Sequence, residues 1–197
     1  MIKRFFDLVL SIFLIILFAP ILLLVAILIR MNISSSIFFI QKRPGLKCKP
    51  FYLIKFKSMY DINKKMVNSI KDHKRISKLG DFLRRTSIDE LPTLINIIKG
   101  DMSFIGPRPL LMEYLKYYDK NEIRRHDVKP GLSGWAQING RNLISWEEKF
   151  KLDLWYVDNN SILLDLKILI ITIWKVIKSE GIYTNKNRIM PKFQRKI

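Results

Sequence analysis

The sequence is short of acid, of cysteine and of histidine, and each shortage removes a class of protein. Seventeen Asp and Glu stand against 35 Lys and Arg in 197 residues, a formal charge of +18. Such a charge in a slightly apolar chain points first towards an anionic membrane surface, with nucleic acid as the runner-up. The one cysteine, Cys48, excludes an intramolecular disulfide and suits a reducing compartment. The two histidines, His73 in a charged stretch and His126 in RRHD, lack partners at zinc-ligand spacing. No G-x-S-x-G elbow, Walker loop or dinucleotide G-x-G-x-x-G occurs. Internal repeats, low-complexity tracts and long linkers are also missing, so the chain reads as one domain on a membrane anchor. A hydrophobic fraction of 49% excludes simple disorder.

What is present begins with an apolar run. Residues 8–29 read LVLSIFLIILFAPILLLVAILI, interrupted only by Ser11 and Pro20. These 22 residues would extend roughly 33 Å as a helix, close to the thickness of a bilayer core. The run exceeds a signal-peptide core and no small-x-small site follows it, so it is expected to stay attached. Pro20 lacks the N–H that would bond to Ile16, and a kink or break is expected there. Two of the 35 basic residues precede the run and 33 follow it, which places the remainder on the cytoplasmic side. A spanning helix would export Lys3 and Arg4, whereas a re-entrant one would keep both basic flanks at one anionic surface. Physics alone leaves both forms open.

Residues 161–179, SILLDLKILIITIWKVIKS, form a second apolar segment. Positions 161, 165, 168, 172, 175 and 179 share a helical stripe that is polar except for Ile168. This predicts an amphipathic helix, lying in the membrane interface or packed on the core. The basic tail, residues 181–197, has little apolar period and reads as a weakly ordered peripheral segment. Between the apolar segments, residues 37–41 and 51–56 favour strands around the turn-rich KRPGLKCKP and predict a hairpin. Residues 64–79 read as a polar helix stopped by Gly80.

The chemistry should lie in residues 84–109, RRTSIDELPTLINIIKGDMSFIGPRP. Ser87 through Glu90 fit an S-x-x-E capping box, with Ser87 as N-cap and Glu90 at N3, a signature that opens many ordinary helices. Asp89 would then sit at N2, where free amides keep its carboxylate ionised as a potential nucleophile. Carboxylates at i and i+1 diverge by about 100°, so Asp89 and Glu90 would take different roles at one site. One could attack or bind metal while the other orients a partner. The Gly106-Pro107-Arg108-Pro109 loop could present a guanidinium to a phosphate. A second loop, residues 129–142, KPGLSGWAQINGRN, has Gly131, Gly134 and Gly140 for close backbone approach and Arg141 for an anion.

Together KRFFD, QKRPG, FYLIKFKSM, TSIDELPTLINIIKGDMSFIGPRPL, KPGLSGWAQINGRN and LDLWYVDNNSILLDLKI resemble the bacterial sugar transferases, specifically the small monotopic phosphoglycosyl transferases. The resemblance covers residues 3–177. It implies an α/β, mainly α, small globular domain with an N-terminal re-entrant membrane helix (residues 1–32), a catalytic domain (residues 33–180) on the cytoplasmic face of the inner membrane, and an interfacial amphipathic helix. It also implies transfer of a sugar-1-phosphate from a UDP-sugar to undecaprenyl phosphate with release of UMP, initiating glycoconjugate assembly. On this resemblance Asp89 is the nucleophile and a Mg²⁺ ligand, and Glu90 is its dyad partner. Lys55, Arg84, Arg108 and Arg141 are the implied phosphate contacts, and Pro20 the membrane break. Membrane phospholipid is the expected surface and nucleic acid is not an expected partner. The alternative is a non-catalytic membrane adaptor using the same basic surface for anionic lipid or an assembly partner. Two departures stand out: Ala19 replaces the family's usual Ser before the membrane proline, and Phe56-Lys57-Ser58-Met59 replaces an FRTM-like motif, losing the arginine fork.

Overall fold

The computed structural model describes residues 2–61, 75–140, 144–178 and 192–195. The apolar run becomes helix α1 (Ile2–Asn32), which is long and apolar enough to cross a membrane. Its buried positions are few, and they hold both of its ends to the same domain. At the start, Lys3 Nζ donates to the Ile105 carbonyl at 2.9 Å, to the Tyr156 hydroxyl at 2.9 Å and to Asp165 at 2.7 Å. Arg4 donates to the carbonyls of Ile97 and Ile98 at 2.5 and 2.6 Å, and Asp7 accepts from the Phe104 N–H at 3.1 Å. Toward the other end, Val25, Ile29 and Ile33 bury against Phe56 and Leu83. Between these anchors Ile12, Phe13, Ile16, Leu17, Ile21, Leu23 and Leu24 are exposed. Of the kink or break expected at Pro20, the break does not occur: α1 runs through it as one element. A proline removes a single bond, and the aliphatic turns on either side keep theirs.

The expected hairpin forms, with longer strands than the sequence suggested. β1 (Phe38–Pro44) pairs antiparallel with β2 (Pro50–Phe56), from Phe38↔Phe56 to Pro44↔Pro50. The Gly45 N–H closes the turn on the Lys49 carbonyl at 2.8 Å. Helix α2 (Lys78–Arg85) follows, N-capped by Ser77, whose hydroxyl accepts from the Gly80 N–H at 2.8 Å. Gly80 therefore lies inside a helix instead of stopping one. It is needed for close approach, since a Cβ there would come within 1.9 Å of the Ser58 carbonyl oxygen. Most of the expected helix over residues 64–79 lies outside the described residues, as does His73.

α3 (Leu94–Lys99) leads into β3 (Ser103–Ile105), which pairs parallel with β4 (Gly131–Ser133). The loops around them meet at three glycines. A Cβ on Gly131 would lie 2.1 Å from the Gly106 nitrogen, and one on Gly134 would lie 2.2 Å from the Gly106 oxygen. The close approach expected of the glycine loop is thus to the Gly106–Pro109 loop. The short α4 (Trp135–Ile138), α5 (Trp146–Asn159) and α6 (Ile162–Ile177) complete the domain, around a core that includes Leu94, Ile97, Met102, Tyr156 and Ile168.

The polar side chains Asp165, Thr172 and Lys175 of α6 face the protein. Asp165 binds Lys3 and Tyr156, Thr172 meets Ser133 at 2.6 Å, and Lys175 donates to the Ile138 carbonyl at 2.6 Å. Leu163, Leu166, Ile170, Ile173, Trp174 and Ile177 are exposed on its other side. Within the tail, residues 192–195 are docked, with Phe193 buried among Tyr114, Tyr118, Trp146 and Phe150. Arg195 donates to Glu122 at 2.9 Å. The described part of the tail is therefore packed rather than peripheral, because one aromatic side chain finds an aromatic pocket.

The hairpin is stitched to the next segment by side chains. Asn96 accepts from the Ile54 N–H at 3.0 Å and donates to the Tyr52 carbonyl at 2.7 Å, while Thr93 donates to the Ile54 carbonyl at 3.0 Å. Both side chains are buried, and they occupy the backbone groups of an edge strand. Asn96→Ala is expected to cost about 2–4 kcal/mol by orphaning two of these groups. Thermal unfolding in detergent checks it, and an unchanged midpoint would contradict this account.

Candidate active site

The segment between α2 and α3 does not form the expected capping box. Ser87 has φ 58°, in the left-handed region, and its side chain caps nothing; residues Ile88–Thr93 are a 3₁₀ helix. Pro92 explains this, since in an α-helix its ring would press on the Ile88 carbonyl and it has no N–H to donate there. Released from capping, Glu90 turns to two cations. Its Oε1 accepts from Lys55 Nζ at 2.6 Å and from Arg108 Nη2 at 2.7 Å. β2 supplies Lys55, and the Gly106–Pro109 loop supplies Arg108. That loop is braced from behind: the buried Arg125 donates to the Arg108 carbonyl at 2.9 Å and is paired with buried Asp153 at 2.6 Å.

The two adjacent carboxyls are thereby driven apart. Burial opposes ionisation of Glu90, but Arg108 and Lys55 hold it well below the usual carboxylate range. Asp89 accepts no hydrogen bond among the described residues. Burial first, and then the charge of Glu90, raises it to about 6 against the pull of Lys55, Arg84 and Arg108. The expectation that helix amides would hold Asp89 ionised is thus overturned, because no α-helix begins there. Lys55 is lowered by burial, with Glu90 opposing.

Lys55, Glu90 and Arg108 line a pocket of about 100 Å³ with Arg43, Leu53, Thr93, Met102, Leu110 and Leu132. Arg84 is exposed at the end of α2, and its charge reaches Asp89. Arg141 lies outside the described residues. Lys57 of the FKSM motif is engaged elsewhere, with Asp61 at 2.6 Å and Ser34 at 2.9 Å, so it ties the end of α1 to β2. His126 is buried, its Nδ1 3.3 Å from the Gly45 carbonyl; burial and then Arg125 lower it to about 4. Among the described residues no three His, Cys, Asp or Glu are grouped to hold a metal ion. Sequence reasoning missed Arg43, Thr93, Asn96 and the Arg125–Asp153 pair, although QKRPG and LDLWYVD contain Arg43 and Asp153.

The carboxylate clamped by two cations thus lies in a domain that also carries the long apolar helix α1. Residues 1–179 match the family described as bacterial sugar transferase. The chain belongs to that family. This transferase is 55% identical over 180 residues to a protein named as the uncharacterized sugar transferase EpsL of Bacillus subtilis (strain 168), covering 91% of this chain and 89% of that one. It is 35% identical over 198 residues to the exopolysaccharide production protein ExoY of Sinorhizobium fredii (strain NBRC 101917 / NGR234), covering 92% and 88%. It is 35% identical over 193 residues to the UDP-glucose:undecaprenyl-phosphate glucose-1-phosphate transferase of Escherichia coli (strain K12). That alignment covers 93% of this chain but only 42% of the longer enzyme.

The raised Asp89 carboxyl makes a stability prediction with a definite sign. A carboxyl easier to protonate in the fold than in the unfolded chain costs the wild type stability as pH rises from 3.8 through about 6. Asp89→Asn, which carries no charge, is expected to be more stable than wild type above pH 6, by on the order of 2–3 kcal/mol. The difference should vanish below pH 4. Parallel melting curves across pH test this, and a constant offset would refute it.

Proposed function

We propose that this sugar transferase moves a sugar-1-phosphate from a UDP-sugar to undecaprenyl phosphate, with Asp89 as covalent nucleophile. The observation that carries the reading is the unequal pair: a half-buried Asp89 accepting no hydrogen bond among the described residues, beside a Glu90 whose Oε1 accepts from both Lys55 and Arg108. In the first step an Asp89 oxygen bonds to the sugar-bearing phosphorus. The bond from that phosphorus to the bridging oxygen breaks, and UMP departs with the electron pair. In the second step an oxygen of the lipid phosphate bonds to the same phosphorus. The aspartyl P–O bond breaks, which restores the carboxylate and leaves a sugar diphosphate on the lipid. Each step brings anions together, and Arg108, Lys55 and Arg84 offset that repulsion. Glu90 holds two of those cations in place.

The residues present fit a Mg²⁺ ion shared with substrate phosphates, which needs only one or two protein carboxylates, and Asp89 is the available one. Such an ion, when bound, would neutralise phosphate charge. Asp89 would hold it on one side while Arg84 and Arg108 orient the phosphates.

The same reading includes a re-entrant α1 on the cytoplasmic face of the inner membrane. Lys3, Arg4 and Asp7 bond to the domain that also buries Ile29 and Ile33. A crossing would separate those anchors by about 30 Å of hydrocarbon. The exposed apolar sides of α1 and α6 then face lipid, so the phosphate of the membrane-borne acceptor arrives at the plane of the site.

Two experiments test this. Mg²⁺-dependent UMP release from a panel of UDP-sugars with undecaprenyl phosphate in nanodiscs is expected for wild type, and to fall at least a thousandfold in Asp89→Asn. The rate of the first transfer should rise with pH through about 6 as Asp89 ionises. Equal release by both proteins would remove Asp89 as nucleophile, and silence from both would favour an adaptor. For topology, Cys48 is first replaced and a cysteine placed at Ile2. In right-side-out vesicles an impermeant thiol probe should leave it unlabelled, and labelling would refute the re-entrant form.

A further inference from the structure

Arg43 belongs to the QKRPG motif, and nothing so far gives it a role. In β1 it pairs with Phe51, while Lys55 pairs with Phe39 in the same register. Side chains alternate along a strand, so Arg43, Gln41, Leu53 and Lys55 share one face of the hairpin. Arg43 and Lys55 approach the pocket from opposite ends of that face, across Leu53, and Arg108 faces them from the Gly106–Pro109 loop.

The charges in this pocket do not balance. Among the described residues, Glu90 is the one carboxylate lining it, and Lys55 and Arg108 already share its Oε1. Arg43 bonds, among the described residues, only to a neutral partner, the Gln41 side-chain oxygen, 2.5 Å from Nη2. Its Nε is buried with no hydrogen-bond partner among the described residues. Burial, and then the charge of Arg108, lowers Arg43 to about 10. A half-buried guanidinium with a buried, unmet donor and no counter-charge beside it is costly, and native proteins keep such groups where a ligand completes them. Its fork matches two oxygens of a phosphoryl group, and the arrangement is completed by an anion rather than by a neutral ligand.

We propose that Arg43 is a phosphate-anchoring residue, receiving in the pocket between β1, β2 and the Gly106–Pro109 loop a phosphoryl group opposite the one met by Arg108. The inference rests on the transferase reading above. Two sources offer this chemistry, the diphosphate of the nucleotide sugar and the monophosphate of the lipid, and kinetics separates them.

Arg43→Met and Arg43→Lys are compared with wild type in nanodiscs, varying each substrate in turn. Arg43→Met should raise one KM at least tenfold, by more than it lowers kcat, and Arg43→Lys should restore part of the loss. A raised KM for the UDP-sugar assigns the donor phosphates, and a raised KM for undecaprenyl phosphate assigns the acceptor. Unchanged KM values in Arg43→Met would overturn the proposal. So would a melting midpoint lowered in both variants with a loss of activity that tracks it. Binding of radiolabelled inorganic pyrophosphate and inorganic phosphate is measured alongside, because it needs no turnover. Weaker binding by Arg43→Met supports the anchor even if no donor sugar is turned over, which would count against the transferase reading alone. Equal binding by wild type and Arg43→Met overturns the anchor even if wild type transfers sugar.

Discussion

One oxygen atom, Oε1 of Glu90, holds the site together. It accepts from Lys55 on the hairpin and from Arg108 on the Gly106–Pro109 loop, so three segments distant in sequence converge on it. The junction is electrostatic and partly shielded from water, where charge-assisted hydrogen bonds are strongest. Everything around it acts to keep those segments in place. Thr93 and Asn96 fasten the residue 88–93 turn to β2, Arg125 and Asp153 brace the backbone at Arg108, and the glycine contacts let the two loops lie against each other. The clamp also makes neighbouring carboxyls unlike: Glu90 is held well below the usual carboxylate range, and Asp89, half-buried beside that negative charge, is raised to about 6.

The fold solves a second problem, which is how a basic domain keeps a long apolar helix against itself. α1 is fixed at its beginning by hydrogen bonds and ion pairs and near its end by aliphatic packing. α6 turns a polar stripe inward, and that stripe includes Asp165, the partner of Lys3. Two helices thus share an ionic contact on the protein side and leave aliphatic surface outside. This inverts the usual pattern of a water-soluble domain, in which apolar stripes face the core.

Much of this was legible before any tertiary contact was known. The hairpin follows from β-favouring runs around a turn, and the period of residues 161–179 marks a helix that is polar on one side. Asp89, Glu90 and Arg108 lie in one dense block of charge, glycine and proline, and the fold brings Lys55 to them from β2. What could not be read was local geometry set by distant partners. Ser87 has the sequence of a cap but sits in a left-handed turn before a 3₁₀ helix, because Pro92 disfavours the α-helix the cap would start. Gly80 has the sequence of a helix stop but lies inside a helix, because Ser58 packs where a Cβ would be. Arg43 and Arg125 are two arginines among many in sequence, and only the burial of the Arg43 Nε and of the Arg125 side chain sets them apart.

Composition and periodicity by themselves determined the membrane-type helix, the basic character of the chain and the hairpin, since each is a property of neighbouring residues. Tertiary structure alone decided which carboxyl is clamped and which is left unbonded, which side of α6 meets the protein, and where each end of α1 is fastened. Those outcomes depend on charges and carbonyls brought within 3 Å by chain segments up to 162 residues apart, as in the contact between Lys3 and Asp165. At such range a buried charge is governed by its partner rather than by its own sequence neighbours.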